Sequence, residues 1–291
     1  MGTIQEDAPQ GNLGGLPAHA RGVYTRSVMW THVLLAALLG GAACAPLIAS
    51  QAVPVAFPRP ATLTSEVYRP DGVGPFPAVI LLHGCSGVSP NMAAWARWLR
   101  TEGYGAMILD SFSGRGLRNL CGNSAPLRGP SRAHDVFAAA AALRALPWVD
   151  GERIAVMGFS HGGWTTLWAA RLAPQYPDLP IKALVTFYPF CGDQFALAGA
   201  APLLMLLGGK DDWTAAARCQ KLAEGSKWAG RDVTDVVYPD ARHGFDAAHI
   251  RRPFLVWAAR GGRGAVVEYN SKAHEDSEKQ VRQFLEAHLK P

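Results

Sequence analysis

Several common signatures are missing from this 291-residue chain. There is no Cys-x-x-Cys motif, so zinc-ribbon and thioredoxin-type chemistry have no support. Lys and Arg are scattered, without a basic run interleaved with aromatics, so the net charge of +5 predicts no nucleic-acid partner. Internal repeats are absent and nothing marks a second domain boundary. With 49% apolar and 18% charged residues, the chain can build one large core.

Charged residues are also missing between Arg26 and Arg59. Apolar and small residues fill positions 33–45, which is short for a membrane span of ~20 residues. Together with the basic flank before it, this run is typical of a secretory signal peptide. We therefore expect a leader and linker over residues 1–52, with cleavage near 45–52 and no stable membrane span in the mature protein. The protein is then periplasmic or secreted.

Three alternatives for this region stay open. Cys44 follows Gly-Ala-Ala and resembles a lipoprotein cleavage site, which would give a lipid anchor. The apolar run could also remain as an uncleaved N-terminal anchor. Residues 1–20 are Gly-rich and unpatterned, so translation could begin at Val23 or Met29 instead.

From residue 77 onward, short apolar runs alternate with helical patterns. This alternation predicts an α/β fold over residues 53–291, with a mostly parallel central sheet and helices on both faces. We predict a Pro-rich linker at 46–60, an entry hairpin around the turn at 71–75, and a loop at 241–270 with a helical excursion near 254–260. Strands are predicted at 77–82, 104–109, 153–157, 181–187, 202–207 and 233–238, and helices at 91–102, 131–146, 161–173, 214–224 and 272–289.

A Gly-x-Ser-x-Gly motif, Gly158 to Gly162, lies between a predicted strand and a predicted helix. In this setting the chain turns sharply and presents the serine, here Ser160, as a nucleophile. The two glycines are needed because side chains would collide across so tight a turn. Ser86 also lies near a histidine, but it lacks the strand–turn–helix setting.

An acid and a base follow later strands in the order Ser, Asp, His. His243 comes directly after the strand at 233–238 and is the predicted base. Asp211 and Asp212 both follow the strand at 202–207, and we favour Asp211 as the acid that orients the imidazole. The other aspartate is assigned to the turn or to a helix cap.

An oxyanion hole needs two backbone N–H groups aimed at the developing charge. We predict that one belongs to His161, the residue after the nucleophile. The other is assigned to Cys85, in the loop after the strand at 77–82. The imidazole of His83 is predicted to pack beneath this loop in a structural role.

Taken together, these motifs resemble the dienelactone hydrolase family of α/β-hydrolases. The matching pieces occur in the expected order between about residues 62 and 290. They are the segments at 82–87, 110–112, 158–163, 188–189, 208–213 and 243–245.

The resemblance implies an α/β-hydrolase fold with Ser160 as nucleophile, Asp211 as acid and His243 as base. The chain departs from the best-known members, which carry a cysteine nucleophile and a Glu after the first strand's His; here Gly84 follows His83. It looks more like serine esterases of the wider family, which need no metal or organic cofactor.

On that frame the cysteines outside the leader can be placed. Cys191 and Cys219 become candidate disulfide partners, and Cys85 with Cys121 could form a second pair. The alternative is four free buried thiols. Exported chains favour disulfides.

Substrate contacts are assigned only tentatively. Arg115 could meet a substrate carboxylate, or hold its own loop. Trp164 and Trp213 flank the predicted catalytic residues and could line an acyl pocket, or simply pack.

We thus expect a serine hydrolase of small carboxylic esters or lactones that works through an acyl-enzyme. The alternatives are an inactive hydrolase fold used for binding, and an acyltransferase or peptidase with the same residues.

Overall fold

The computed structural model describes residues 48–192 and 199–290, which build one eight-stranded sheet. The strand order is β1-β2-β4-β3-β5-β6-β7-β8, and neighbours from β4 to β8 are parallel. The strands are β1 (Ile48–Val55), β2 (Ala61–Tyr68), β3 (Phe76–Leu82), β4 (Gly105–Asp110), β5 (Val149–Phe159), β6 (Ala183–Phe187), β7 (Leu203–Gly208) and β8 (Val233–Tyr238).

Helices cover both faces of this sheet, as the alternating pattern predicts. Helices α2, α3 and α4 pack on one face, and α1 and α6 on the other. Their bounds are α1 (Pro90–Thr101), α2 (Gly129–Arg144), α3 (His161–Leu172), α4 (Ala216–Trp228), the short α5 (Ala259–Gly262) and α6 (Ser271–Leu289).

Strand β3 shows why the central strands have unbroken apolar sequences. Its side chains alternate between the two faces, with Ile80 and Leu82 in one core and Val79 and Leu81 in the other. All four are fully buried. A strand with helices on both sides has no solvent-facing side, so its sequence does not alternate between apolar and polar residues.

The first two strands correct the prediction for the start of the domain. Residues 48–55, part of the predicted linker, form β1, which pairs antiparallel with β2. The boundary predicted at 52/53 therefore falls inside a strand. Strand β2 then pairs antiparallel with β4, so the turn at 71–75 does not close a hairpin with β3. The leader prediction for residues 1–47 lies outside the described residues.

The segment after β8 also differs from the prediction. Residues Phe254–Val256 form β9 instead of a helical turn, and β9 pairs antiparallel with β10 (Ala265–Val267). Helix α5 is a single distorted turn between them. The result is a small two-stranded sheet that ends just before α6.

Two disulfides join the cysteines as the resemblance implied. Cys85 is bonded to Cys121, and Cys191 to Cys219. The first links the loop after β3 to the long loop after β4. The second links the loop after β6 to α4. None of the described helices is long and apolar enough to cross a membrane.

Candidate active site

Ser160 lies on a sharp turn between β5 and α3. Its φ of 54° and ψ of −111° lie outside the regions that side chains prefer. The turn is possible because glycines flank it. A Cβ on Gly158 would lie 2.2 Å from the Gly162 carbonyl oxygen, and a Cβ on Gly162 would lie 2.0 Å from the Leu82 carbonyl oxygen. The motif therefore forms the strained elbow that presents a serine above the sheet.

The structure brings Ser160, His243 and Asp211 together, although they are far apart in the chain. Ser160 Oγ lies 2.8 Å from His243 Nε2, and His243 Nδ1 lies 2.8 Å from Asp211 Oδ2. Asp211 and His243 follow neighbouring strands, β7 and β8, so both reach the same edge of the sheet. This chain of hydrogen bonds can carry a proton from the serine to the imidazole.

Asp211 is held as an oriented carboxylate. Its Oδ1 accepts hydrogen bonds from the backbone amides of Trp213 and Thr214, at 2.8 and 2.9 Å. The Thr214 hydroxyl lies 2.9 Å from Oδ2. Burial opposes ionisation of Asp211, but attraction to His243 and these hydrogen bonds outweigh it and hold the pKa of the carboxyl below its ordinary value. Asp211 is therefore charged at neutral pH.

Asp212 has a different role from the turn or cap predicted for it. Its Oδ1 accepts a hydrogen bond from the Val266 amide at 3.0 Å. This bond ties β10 to the loop that carries Asp211. The β9–β10 sheet is thereby fixed beside the candidate site.

The loop after β3 passes beside Ser160: a Cβ added to Gly84 would lie 3.6 Å from the Ser160 Cβ. Cys85, His161 and Ser160 line the same cleft. Neither the Cys85 amide nor the His161 amide donates a hydrogen bond within the described part of the chain. His161 also begins α3, where the helix dipole favours negative charge. Both amides are therefore available to an oxyanion.

The side chains of His83 and His161 serve as supports. His83 is fully buried, with Nδ1 2.8 Å from the Gly84 carbonyl oxygen. His161 Nε2 lies 3.0 Å from the Leu127 carbonyl oxygen, and Nδ1 lies 3.1 Å from the Arg132 guanidinium. Burial, reinforced by Arg132, lowers the pKa of His161 to about 3. Both rings are uncharged near neutral pH, so neither competes with His243 as the base.

A family assignment follows from comparison with known proteins. The model of the dienelactone hydrolase family matches residues 63–289. The chain belongs to the dienelactone hydrolase family. A relative from Methylorubrum extorquens, named "Putative carboxymethylenebutenolidase", is 28% identical over 194 residues. The alignment covers 60% of this chain and 65% of the relative, slightly less than two thirds of its length.

Solved structures show that the dienelactone hydrolase-like chain has the α/β-hydrolase fold. One is a dienelactone hydrolase-like promiscuous phosphotriesterase from metagenomic libraries, with a TM-score of 0.64 and 21% identity. The alignment covers 84% of this chain and 99% of the phosphotriesterase chain. Another, titled "Putative Dienelactone Hydrolase", is from Klebsiella pneumoniae, with a TM-score of 0.62, 20% identity and coverage of 82% and 98%.

Arg115, predicted tentatively to meet the substrate, is engaged elsewhere in this dienelactone hydrolase family member. Its guanidinium makes a bidentate ion pair with the buried Asp135, at 2.7 and 2.8 Å. It also donates to the carbonyl oxygens of Ser111 and Phe57. The prediction of a substrate contact is thus corrected: Arg115 holds the loop after β4 to α2.

Ser160 opens into a cleft of about 520 Å³ with a mixed polar and apolar lining. The two tryptophans named from the sequence, Trp164 and Trp213, both line it. The Trp213 ring also packs 4.8 Å from the His243 ring, measured between centroids. Three arginines complete the lining, and sequence reasoning missed them because two lie in the loop-like segment after His243: Arg218, Arg260 and Arg263.

A second cavity of about 380 Å³ meets Ser160 and His243 from the side of the β9–β10 sheet. We call it the apolar pocket. Its outer wall is made mostly of aliphatic and aromatic side chains: Ala247, Ile250, Phe254, Leu255, Val256 and Val267. Ser160 therefore lies where a cleft of mixed polarity and an apolar pocket meet.

Behind His243 lies a buried polar network that sequence reasoning also missed. Asp246 is 1% exposed and accepts hydrogen bonds from Asn91 Nδ2 and Trp95 Nε1, both at 2.9 Å. The Tyr188 hydroxyl donates a further hydrogen bond to it, and the Tyr188 ring packs against the His243 ring. The signal was present, since Asp246 is a carboxylate three residues after the histidine. The network ties the loop of the base to α1 and β6.

Among residues 48–192 and 199–290, no group of three or more His, Cys, Asp and Glu side chains is placed to hold a metal ion.

Proposed function

We propose that this protein is an exported serine hydrolase that cleaves carboxylic esters or lactones through an acyl-enzyme. The observation that carries the proposal is the pair of 2.8 Å hydrogen bonds that link Ser160 to His243 and His243 to Asp211. Membership of the dienelactone hydrolase family, and relatives named for a carboxymethylenebutenolidase activity, support an ester or lactone as the substrate.

In the first half-reaction, Ser160 Oγ attacks the ester carbonyl carbon while His243 Nε2 takes the hydroxyl proton. Asp211 accepts from Nδ1, which fixes the ring and stabilises the imidazolium. The bond to the alcohol oxygen then breaks, and the alcohol leaves with the proton from Nε2. A lactone opens by the same step but keeps its alcohol attached.

In the second half-reaction, water attacks the acyl-enzyme and His243 takes a proton from it. The bond to Ser160 Oγ breaks, the serine recovers its proton, and the acid is released. In both halves the negative oxygen is stabilised by the amides of Cys85 and His161, at the N-terminus of α3. Each such donor is worth a factor of about 10²–10³ in kcat.

Export is supported by two features of the chain. Residues 33–45 have the pattern of a signal peptide. Both disulfides also favour an oxidising compartment, because thiols stay reduced in the cytosol. A lipid anchor on Cys44 is the alternative form of the same proposal. Peptide mapping of protein purified from the periplasm and from membranes would decide between them.

The test of the activity uses p-nitrophenyl esters and lactones with purified protein. We expect hydrolysis, and labelling by a fluorophosphonate probe. Ser160→Ala should lower kcat on the order of a millionfold and abolish labelling. Ser86→Ala is the matched control, because it removes a serine of the loop after β3 and should leave labelling intact. If the unaltered protein hydrolyses no ester or lactone and does not react with the probe, the hydrolase proposal is refuted.

A further inference from the structure

The segment between His243 and α6 corrects the statement that Lys and Arg are scattered along the chain. Residues 247–267 contain four arginines and no Asp or Glu. All four arginines lie between residues 251 and 263, and all are exposed: Arg251, Arg252, Arg260 and Arg263. Within the described residues none of them has a carboxylate within ion-pair distance. We call residues 251–263 the cationic rim.

The cationic rim also exposes large apolar side chains. Phe254 is 49% exposed, Leu255 39% and Trp257 73%. Three such side chains within four residues make a local apolar patch, which a free surface rarely presents without a partner. The patch is surrounded by arginines, so any partner must offer both an apolar and a negative surface.

The rim is fixed at the mouth of the candidate site. Phe254 and Leu255 belong to the wall of the apolar pocket that leads to Ser160. Asp212 holds β10 through the Val266 amide. On the other side, a Cβ added to Gly122 would lie 3.0 Å from the Ala258 Cβ, so the rim also packs against the loop of Cys121. What docks on the rim is therefore next to the pocket entrance.

We propose that the cationic rim docks on an anionic lipid surface, and that the substrate is an ester carried in that surface, whose apolar chain enters the apolar pocket. The substrate half of this proposal rests on the proposed hydrolase function. Arginines meet the anionic headgroups, while Trp257 and Phe254 enter the boundary between headgroups and chains. An apolar chain then passes from the lipid into a pocket of like chemistry without crossing water.

Other partners fit the rim less well. A second copy of this chain, docked through the same patch, would bring eight arginines together with no acidic residue from either rim. Nucleic acid would satisfy the arginines but leave the apolar pocket without an occupant. A lipid surface satisfies both features at once.

Binding is tested without catalysis, using full-length Ser160→Ala protein and vesicles of phosphatidylcholine with or without phosphatidylserine. Hydrogen exchange of residues 251–263 should slow with the anionic vesicles and much less with the neutral ones. This readout is local, so binding through any other part of the chain does not imitate it. No protection by anionic vesicles, or protection only by an oligonucleotide or by self-association, would overturn the proposal.

Two variants measure the contributions. Arg251→Ser/Arg252→Ser should weaken anionic vesicle binding about fivefold for each arginine removed. Trp257→Ser should weaken binding to both vesicle types. The matched control is Trp228→Ser, because Trp228 is 86% exposed but lies at the far end of α4, roughly 20 Å of helix from the cleft. Equal effects of the Trp257 and Trp228 changes would contradict the assignment of the rim.

Catalysis is measured in proteins that keep Ser160, with p-nitrophenyl acetate in solution and with p-nitrophenyl palmitate in anionic vesicles. For the rim variants, the ratio of vesicle activity to solution activity should fall in proportion to binding. An unchanged ratio would refute docking while leaving the hydrolase function intact. Absence of hydrolysis of both esters would instead refute the hydrolase function, and the hydrogen-exchange result would still decide docking.

Discussion

Removing the disulfide between Cys85 and Cys121 should lower kcat far more than removing the one between Cys191 and Cys219. The first disulfide holds the loop whose Cys85 amide is assigned to the oxyanion hole. The Leu120 amide reinforces it with a 2.7 Å hydrogen bond to the Cys85 carbonyl oxygen. The second disulfide joins a loop to α4, and neither partner supplies a donor to the oxyanion.

The two disulfides are well matched in their effect on stability. Their sequence separations are 36 and 28 residues. In the chain-entropy model, loops of these lengths stabilise the fold by about 4 kcal/mol each and differ by only about 0.2 kcal/mol. Misplacing an oxyanion donor by about 1 Å costs roughly 10²-fold in kcat, and losing it costs up to about 10³-fold. Removing either disulfide should therefore lower the free energy of unfolding by the same amount, whereas kcat should fall much more when the Cys85–Cys121 disulfide is removed.

The comparison uses Cys85→Ala/Cys121→Ala and Cys191→Ala/Cys219→Ala. Urea unfolding gives the stability of each, and kcat for p-nitrophenyl acetate is measured well below the unfolding midpoint. We expect a loss of kcat of about a hundredfold in the first variant and less than about threefold in the second. Equal losses of kcat would refute the link between Cys121 and the oxyanion hole.

Three further outcomes are expected. Thr214→Val should lower kcat about tenfold, because it removes a hydroxyl 2.9 Å from Asp211 Oδ2, and Thr214→Ser should restore it. Arg115→Ala should cost at least about 3 kcal/mol in urea unfolding, since it leaves Asp135 buried without its partner, with KM for a neutral ester unchanged. His161 has a folded pKa of about 3 against an ordinary 6.5, so the unfolded chain binds its proton first as the pH falls. The contribution of the uncharged His161 to the free energy of unfolding is intact above pH 6.5 and declines towards pH 3, by about 3 kcal/mol at pH 4.5. His161→Gln should therefore flatten the dependence of the unfolding free energy on pH between these values.

The sequence predicted the central strands and the meeting of Ser160, Asp211 and His243 for a physical reason. Each of these residues lies within five residues of the end of a predicted strand, and the carboxyl ends of parallel strands share one edge of the sheet. The position of each residue relative to its own strand is therefore enough to predict that the three side chains lie close together, even when the long-range contacts are unknown. The catalytic roles stay predictions until the Ser160→Ala measurement is made.

Strand β1 was not predicted because its sequence contains a proline, which is more typical of a linker than of a strand. Pro54 lies inside it, and proline usually marks a linker. The structure places β1 at the outer edge of the sheet, paired only with β2, where a missing backbone N–H is tolerated. An edge position depends on strand order, which no local pattern encodes.

The role of Arg115 stayed open, and the β9–β10 sheet was not predicted, for a related reason. Nothing near Arg115 in the sequence shows that Asp135, 20 residues later, is buried beneath it. Strands β9 and β10 have three residues each, too few for alternation to be recognised, and they are held by Asp212 from another loop. Both features depend on partners that only the folded chain brings together.

The proposed base is tied to the segment that leads into α6. The His243 carbonyl oxygen accepts a hydrogen bond from the Glu268 amide, and the Phe245 carbonyl oxygen accepts one from Asn270, which caps α6. An intermediate in which α6 has not docked therefore lacks two of the bonds that hold the loop of the base. Under the proposed function, the onset of ester hydrolysis during refolding then reports the docking of α6 and the completion of the fold.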